Sequence, residues 1–315
     1  MKAVIMESLA VSEDKLNSLK KPFEEEGIEF KEYTKAADPE VLKQEAADAD
    51  IMILANMPMP SDVIRACEKL KFIDIAFTGV DHVGMDAAKE RGIAVSNASG
   101  YADEAVAELV IGMIISHYRN LRTSEDRCRQ GKTKEGLSAR EIRGKTVGII
   151  GLGKIGRRTA KILDAFGAKV LAHNSRPLKD KPEYVEETAP DDLLQRSDIV
   201  ILHCPLNDET KGMINAEKLS LMKSDALLVN AARGPVVVSR DLADALCRGT
   251  IAGACLDVFD KEPPLDPEDP LLKAPNTIVT PHTAFMTEES MELRADIVFE
   301  NLRAWLDGRQ INKIL

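Results

Sequence analysis

Aromatic side chains are scarce in this chain: one tryptophan, four tyrosines and eight phenylalanines among 315 residues, 4% in all. That leaves little surface on which nucleobases could stack. An excess of basic charge is missing too, since 42 Lys and Arg stand against 52 Asp and Glu, a formal charge of −10 with a pI near 5.2. Phosphate backbones need a basic face, so nucleic acid is not expected as a partner, whereas a small anionic substrate needs only one local cation. No apolar run approaches the ~18 residues of a membrane span. The start, Met1 to Glu7, reads as a short strand followed by polar residues, without the apolar core and small-residue cleavage site of a signal peptide. No membrane partner is expected. The five cysteines, Cys67, Cys128, Cys204, Cys247 and Cys255, are odd in number and lack CxxC or zinc-ligand spacing. They read as reduced thiols in a cytoplasm, with no metal. Cys204 and Cys255, in or beside apolar strand-like runs, are expected to be small buried hydrophobes rather than reactive groups.

What is present is ordinary globular composition, 44% hydrophobic and 30% charged, in a chain long enough for about two domains that each bury a core. The most informative stretch lies in mid-chain. Gly151-Leu152-Gly153-Lys154-Ile155-Gly156 follows the apolar run Val147 to Ile150 and precedes a helix-like segment, Arg157 to Phe166. Strand, glycine turn and helix in that order make a dinucleotide cradle: the first glycine permits the turn, the second lets amides approach a pyrophosphate, and the third lets helix pack on strand.

Upstream, Lys2–Met6, Ile28–Tyr33, Ile51–Ala55, Phe72–Phe77 and Ile93–Val95 look like strands alternating with amphipathic segments, the parallel βα pattern. A long helix-like segment runs from Tyr101 to Leu121. A second set of strands is Val147–Ile150, Lys169–His173, Ile199–Leu202, Ala226–Val229, Ile251–Cys255 and Thr277–Val279, about the number a complete dinucleotide-binding sheet uses. The final helical segment, Thr287 to Leu306, is placed to return the chain to the first domain and make it discontinuous.

Three ionisable residues stand out downstream. Arg233 is the only charge between Leu227 and Val238 and follows a strand at the edge where open parallel sheets bind ligands. A substrate carboxylate would satisfy its guanidinium in bidentate fashion, and a neighbouring acid would do so equally. His282, in a stretch without another charge from Asn276 to Phe285, is either a proton-transfer group or a satisfied core histidine. Glu262, in Asp257-Val258-Phe259-Asp260-Lys261-Glu262-Pro263-Pro264, taken alone reads as part of a solvated acidic loop.

Taken in order, Asn230-Ala231-Ala232-Arg233-Gly234, Leu256 to Pro263 and Thr280-Pro281-His282-Thr283-Ala284, downstream of the glycine run, resemble the D-isomer-specific 2-hydroxyacid dehydrogenases. Phe77-Thr78-Gly79-Val80-Asp81-His82 is similar to that family's substrate-carboxylate loop and Ala105-Val106-Ala107-Glu108 to its interdomain helix, so the resemblance spans the chain. It implies an α/β protein of two doubly wound parallel-sheet domains. A Rossmann dinucleotide-binding domain, 101–285, is inserted in a flavodoxin-like substrate domain, 1–100 with 286–315. It implies hydride transfer between NAD or NADP and a small 2-oxoacid or D-2-hydroxyacid. Arg233 would bind the carboxylate and polarise the carbonyl, His282 would donate the proton, and Glu262 would stabilise the imidazolium. Amides near Gly79 and Val80 would hold the carboxylate, and Asn56 would join them at the substrate. Cofactor contacts would come from Val106, Gly151, Gly153, Lys154, Ile155, Gly156, Asn174, Ser175, Arg176, Cys204, Pro205, Ala231, Asp257 and His282, with Asp257 orienting the nicotinamide carboxamide. The family usually forms homodimers, and the same expectation attaches here.

Two departures bear on specificity. Where NAD users place an acid about 20 residues beyond the glycines, Asn174, Ser175 and Arg176 stand, with no acid until Asp180, so NADP is preferred over NAD. Phe285 replaces the glycine that many members carry after the histidine motif and is more similar to the D-lactate branch, whereas the ribose loop is more similar to glyoxylate or hydroxypyruvate reductases. Substrate side-chain contacts are assigned to Ala55-Asn56-Met57-Pro58-Met59-Pro60, apolar or small residues with no cation for a phosphate. The same fold also serves a dinucleotide-binding corepressor, the alternative function, and an amino-acid dehydrogenase would need a lysine or aspartate in the proton-transfer role.

Overall fold

A computed structural model describes residues 1–177, 180–262 and 264–315; Pro263 of the acidic loop lies outside the described residues. The chain divides into two compact units, Met1–Ala102 with Met286–Leu315, and Asp103–Phe285.

The first unit alternates β1 (Lys2–Ile5), α1 (Glu13–Glu25), β2 (Glu29–Glu32), α2 (Pro39–Ala46), β3 (Ile51–Leu54), α3 (Ser61–Ala66), β4 (Phe72–Ile75), α4 (Met85–Glu90) and β5 (Ala94–Asn97). Its five strands pair in parallel in the order β2-β1-β3-β4-β5. All four residues of β3, Ile-Met-Ile-Leu, are buried, as the unbroken apolar run of an inner parallel strand requires. β2 at the edge keeps no residue fully buried and reads Glu-Phe-Lys-Glu.

The second unit contains α5 (Asp103–Tyr118), α6 (Leu121–Arg129), β6 (Thr146–Ile150), α7 (Lys154–Ala165), β7 (Lys169–His173), β8 (Val185–Glu187), α8 (Pro190–Arg196), β9 (Ile199–Leu202), α9 (Ala216–Leu221), β10 (Leu227–Asn230), α10 (Ser239–Arg248), β11 (Gly253–Leu256), α11 (Pro270–Lys273) and β12 (Thr277–Val279). Its seven strands are parallel in the order β12-β11-β10-β9-β6-β7-β8. The order reverses between β9 and β6, where such sheets open a ligand crevice beyond their C-terminal edge.

The last helix, α12 (Glu288–Leu306), belongs to the first unit. A capping box of Thr287 and Ser290 starts it. It is docked there by Trp305 stacked on Phe72 at 4.8 Å and by the buried Arg294, whose Nη2 donates to the Leu9 carbonyl at 2.7 Å. The chain end then lies antiparallel on β5 through Ser96 and Lys313.

Two elements differ from expectation. The helical stretch 101–121 is two helices, because Asn120 adopts a left-handed conformation, φ 51°, with its Nδ2 bonded to the Ser138 carbonyl. The edge strand β8 has no strand signature in the sequence because it is only three residues, two of them exposed glutamates. Cys204 and Cys255 are buried, and burial pushes their thiols up to about 11 and about 12, so both behave as inert hydrophobes.

Candidate active site

Every downstream motif follows a strand of one parallel sheet, so their loops share its C-terminal edge. The glycine run follows β6, Asn174 follows β7, Cys204 and Pro205 follow β9, Arg233 follows β10, Asp257 to Glu262 follow β11, and His282 follows β12.

The glycine turn is built for close approach. Gly151 has φ +101°, and a side chain there would meet the His203 carbonyl carbon at 2.5 Å and the Cys204 amide at 2.6 Å. Gly156 faces the Gly151 carbonyl with no room for a Cβ, so α7 presses on the turn, while the open side of Gly153 meets nothing within 4 Å. Gly153 is the N-cap of α7; no side chain caps the helix, and its first turn holds no acid. Backbone donors and the positive end of the helix dipole therefore face outward, which fits a pyrophosphate. Lys154 is exposed and Ile155 half-buried at this terminus, and Val106 is buried on α5. Asn174 Oδ1 accepts the Leu152 amide at 2.6 Å, locking the start of the ribose loop onto the glycine turn. Ser175 and Arg176 beyond it are exposed.

The Arg233 turn is stapled by Asn230, whose Nδ2 donates to the Arg233 carbonyl at 2.9 Å and whose Oδ1 accepts the Ala232 amide at 3.1 Å. Ala231 is half-buried in this turn, and the Arg233 guanidinium donates to the Ala232 carbonyl at 2.8 Å. Gly234 lies so close to the Phe259–Asp260 backbone that any Cβ would overlap it, and that brings the acidic loop against the arginine loop.

Glu262 is not a solvated surface residue. Its side chain is 14% exposed, and its Oε1 accepts from Nδ1 of His282, itself 21% exposed, at 2.8 Å. The pairing directs the Nδ1 proton to the carboxylate and so fixes the ring's orientation and tautomer. His282 holds a left-handed backbone, φ 53°, maintained by its amide donating to the Asp257 carbonyl at 2.7 Å.

Asp257 is wholly buried. One oxygen accepts from Thr280 Oγ1 at 2.6 Å and the Thr283 amide at 2.9 Å, and the other from the Ala284 amide at 2.9 Å. Burial raises its pKa against the opposing pull of these bonds. Its visible work is to fasten the loop that carries His282. Asn230 and Gly234 have the same character, and the signal for them was their place in the strand-end motifs.

In the first unit, Asn56, Gly79 and Val80 are half-buried in the loops that follow β3 and β4. Met57 and Met59, expected at the substrate, are wholly buried in the unit's core, while Asn56 just before them is half-buried and Pro58 between them is exposed. The loop does have a cation beside it: Lys35 Nζ donates to Asn56 Oδ1 at 2.8 Å. The Gly79 loop hangs on a buried polar chain that sequence reasoning missed. Asn97 Nδ2 donates to the Thr78 carbonyl at 2.7 Å, and Asn301 Nδ2 donates to both the Asn97 carbonyl and Asp74 Oδ1. Among the described residues no cluster of three or more His, Cys, Asp or Glu could hold a metal ion, and no helix is long and apolar enough to cross a membrane.

Comparison with known proteins finds relatives that span the chain. A family model described as D-isomer specific 2-hydroxyacid dehydrogenase, NAD binding domain, matches residues 111–284. A hydroxypyruvate reductase of Blautia hydrogenotrophica is 36% identical over 292 residues, 89% of either chain. Among solved structures, an acyclic imino acid reductase (Bsp5) in complex with NADPH and D-Arg superposes with a TM-score of 0.91 at 28% identity, covering 100% of both chains. A D-lactate dehydrogenase from Aquifex aeolicus complexed with NAD and lactic acid superposes at 0.86 and 30% identity, covering 98% of this chain and 96% of that one. These relatives bear the names of oxidoreductases, and the corepressor alternative draws no support from them.

Proposed function

The chain belongs to the D-isomer specific 2-hydroxyacid dehydrogenase family, and from that premise we propose that it reduces a small 2-oxoacid to the D-2-hydroxyacid with NADPH. The observation that carries the reading is the Glu262–His282 pair at 2.8 Å on the sheet edge that also bears the glycine turn. Gly151, Gly153 and Gly156 with Lys154 and Ile155 would hold the pyrophosphate, Asn174, Ser175 and Arg176 the adenosine ribose, and Val106, Cys204, Pro205, Ala231 and Asp257 the nicotinamide half. Bound there, the dinucleotide supplies the hydride.

The protein's own side chains supply the rest. Arg233 binds the substrate carboxylate and polarises the carbonyl by charge-assisted hydrogen bonds. His282 delivers a proton from Nε2 to the carbonyl oxygen, and Glu262 on Nδ1 stabilises the imidazolium before transfer and fixes the tautomer after it. The amides of Gly79 and Val80 are assigned to the substrate carboxylate, and Asn56 to its side chain. In the oxidative direction His282 is the base.

The NADPH preference is supported by the orientation of Asn174. Its Oδ1 is committed to the Leu152 amide, so the donor Nδ2 is what it offers a ligand, and no carboxylate repels a 2′-phosphate. Free thiols at all five cysteines suit a reducing compartment, and we place the protein in the cytoplasm. A homodimer is proposed through the second unit, where α6 keeps none of its residues buried and presents Leu121 at 51% exposure. Sedimentation at micromolar concentration tests it. The catalytic reading is tested by oxidation of NADPH and NADH against glyoxylate, hydroxypyruvate, pyruvate, phenylpyruvate and 2-oxoisocaproate. Turnover of at least one with NADPH ahead of NADH is expected; tight dinucleotide binding without turnover of any would overturn it.

A further inference from the structure

In the first unit the strand order reverses between β1 and β3, the point at which open parallel sheets form a crevice for a ligand beyond their C-terminal edge. Glu7, which comes after β1 at that edge, is 6% exposed. Its Oε1 accepts the amides of Ala55 at 2.8 Å and Met57 at 2.7 Å, so the loop after β3 is wrapped around a buried carboxylate. Its Oε2 lies 3.4 Å from Lys35 Nζ, and that ammonium donates to Asn56 Oδ1 at 2.8 Å. Glu7 thus sets both the backbone of the loop and the cation beside it. An ammonium has three donors and no acceptor, and an asparagine whose Oδ1 is committed turns its Nδ2 donors to whatever approaches. The pair Lys35–Asn56 offers hydrogen-bond donors and a positive charge.

The loop that carries Gly79 and Val80 is stitched to this one. His82 Nε2 donates to the Ala55 carbonyl at 2.7 Å, and the Met59 amide donates to the His82 carbonyl at 2.9 Å. The loop that bears Gly79 and Val80 and the loop that bears the Lys35–Asn56 donor pair are thus held in one frame.

We propose that Lys35, oriented by Glu7 and acting with Asn56, determines substrate specificity by reading the carbon-3 substituent, selecting 2-oxoacids that carry an oxygen there, as hydroxyl or carboxylate, over those with an alkyl group. This rests on the assignment of Gly79 and Val80 to the substrate carboxylate. An oxygen on carbon 3 replaces the water that Lys35 and Asn56 lose when substrate binds; an alkyl group removes that water and returns nothing.

The test is kcat/KM of the parent protein and of Lys35→Met with hydroxypyruvate, pyruvate and glyoxylate. Glyoxylate has no carbon 3 and is the internal control. Lys35 is 38% exposed at its side chain, so the variant keeps the fold. The parent should prefer hydroxypyruvate to pyruvate by about tenfold or more, the scale of one hydrogen bond to a charged group. Lys35→Met should erase that preference while leaving glyoxylate within about twofold. An equal fall on all three substrates, the mark of a merely structural lysine, overturns the proposal, as does no change. A parent active on all three without preferring hydroxypyruvate overturns this inference alone. A parent inert toward all three overturns the reductase reading and this one with it.

Discussion

Replacing Asp257 with alanine should cost both stability and turnover, through one buried carboxylate. The substitution leaves the amides of Thr283 and Ala284 and the hydroxyl of Thr280 without their acceptor, and Ala284 is 4% exposed, so water cannot easily replace it. Stranding a buried donor costs about 1–3 kcal/mol, and three donors at differing depth sum to about 4 kcal/mol. The offset is the carboxylate's own desolvation, visible in its raised pKa, which trims the net loss to about 3 kcal/mol. For a unit of this size, about 2–4 °C is lost per kcal/mol, so its calorimetric transition should fall by about 10 °C. Turnover should fall further than stability at the assay temperature explains. The His282 peptide is held at φ 53° by the Asp257 backbone within a loop that the side chain fastens, and displacing a catalytic group by about 1 Å costs about a hundredfold in rate. Asp257→Asn should be milder, since one oxygen acceptor remains. A transition within about 2 °C of the parent, together with an unchanged kcat, would refute this account of Asp257.

Other perturbations probe separate parts of the same unit. His203, beside Thr159 Oγ1 at 3.0 Å, is depressed by burial to about 4, so between that pH and its unfolded value of about 6.5 the unfolded chain binds the extra proton. Its contribution, on the order of 1–3 kcal/mol, is complete above about pH 6.5 and lost as the pH falls toward 4. Urea titrations at pH 7 and pH 5 should show that loss, and His203→Gln should flatten it; an equally steep acid limb in the variant would count against it. Asn174→Asp places a carboxylate where a 2′-phosphate would sit, and the NADPH to NADH ratio of kcat/KM should drop at least about tenfold. A ratio that stays put would mean that this loop does not read the phosphate.

The parts legible in the sequence were those whose signal is local. The glycine turn, the arginine turn after β10 and the histidine after β12 each announce themselves within a few residues, by glycines at fixed spacing or a lone charge after an apolar run. Strand order then brings them to one edge without further instruction. Alone, Glu262 read as a solvated acid, because its role depends on Gly234 letting two loops touch and on a partner 20 residues further along at His282. Longer-range pairs left no trace. Lys35 meets Asn56, and Asn97 meets Asn301, only through folding of the whole first unit. The methionines at 57 and 59 misled in the other direction, since apolar residues beside an expected pocket filled the core instead. The break at Asn120 had no glycine or proline to mark it and rests on a left-handed asparagine.

The central claim is that His282 moves the proton while the glycine turn, independently, holds the cofactor. The direct measurement is kcat/KM for the best 2-oxoacid in His282→Ala, with the dissociation constant of NADPH determined on the same sample by fluorescence. The expected result is a loss of about 10²–10⁴ in kcat/KM with NADPH affinity within about twofold of the parent. A variant that binds NADPH normally and turns over at near the parent rate would contradict it.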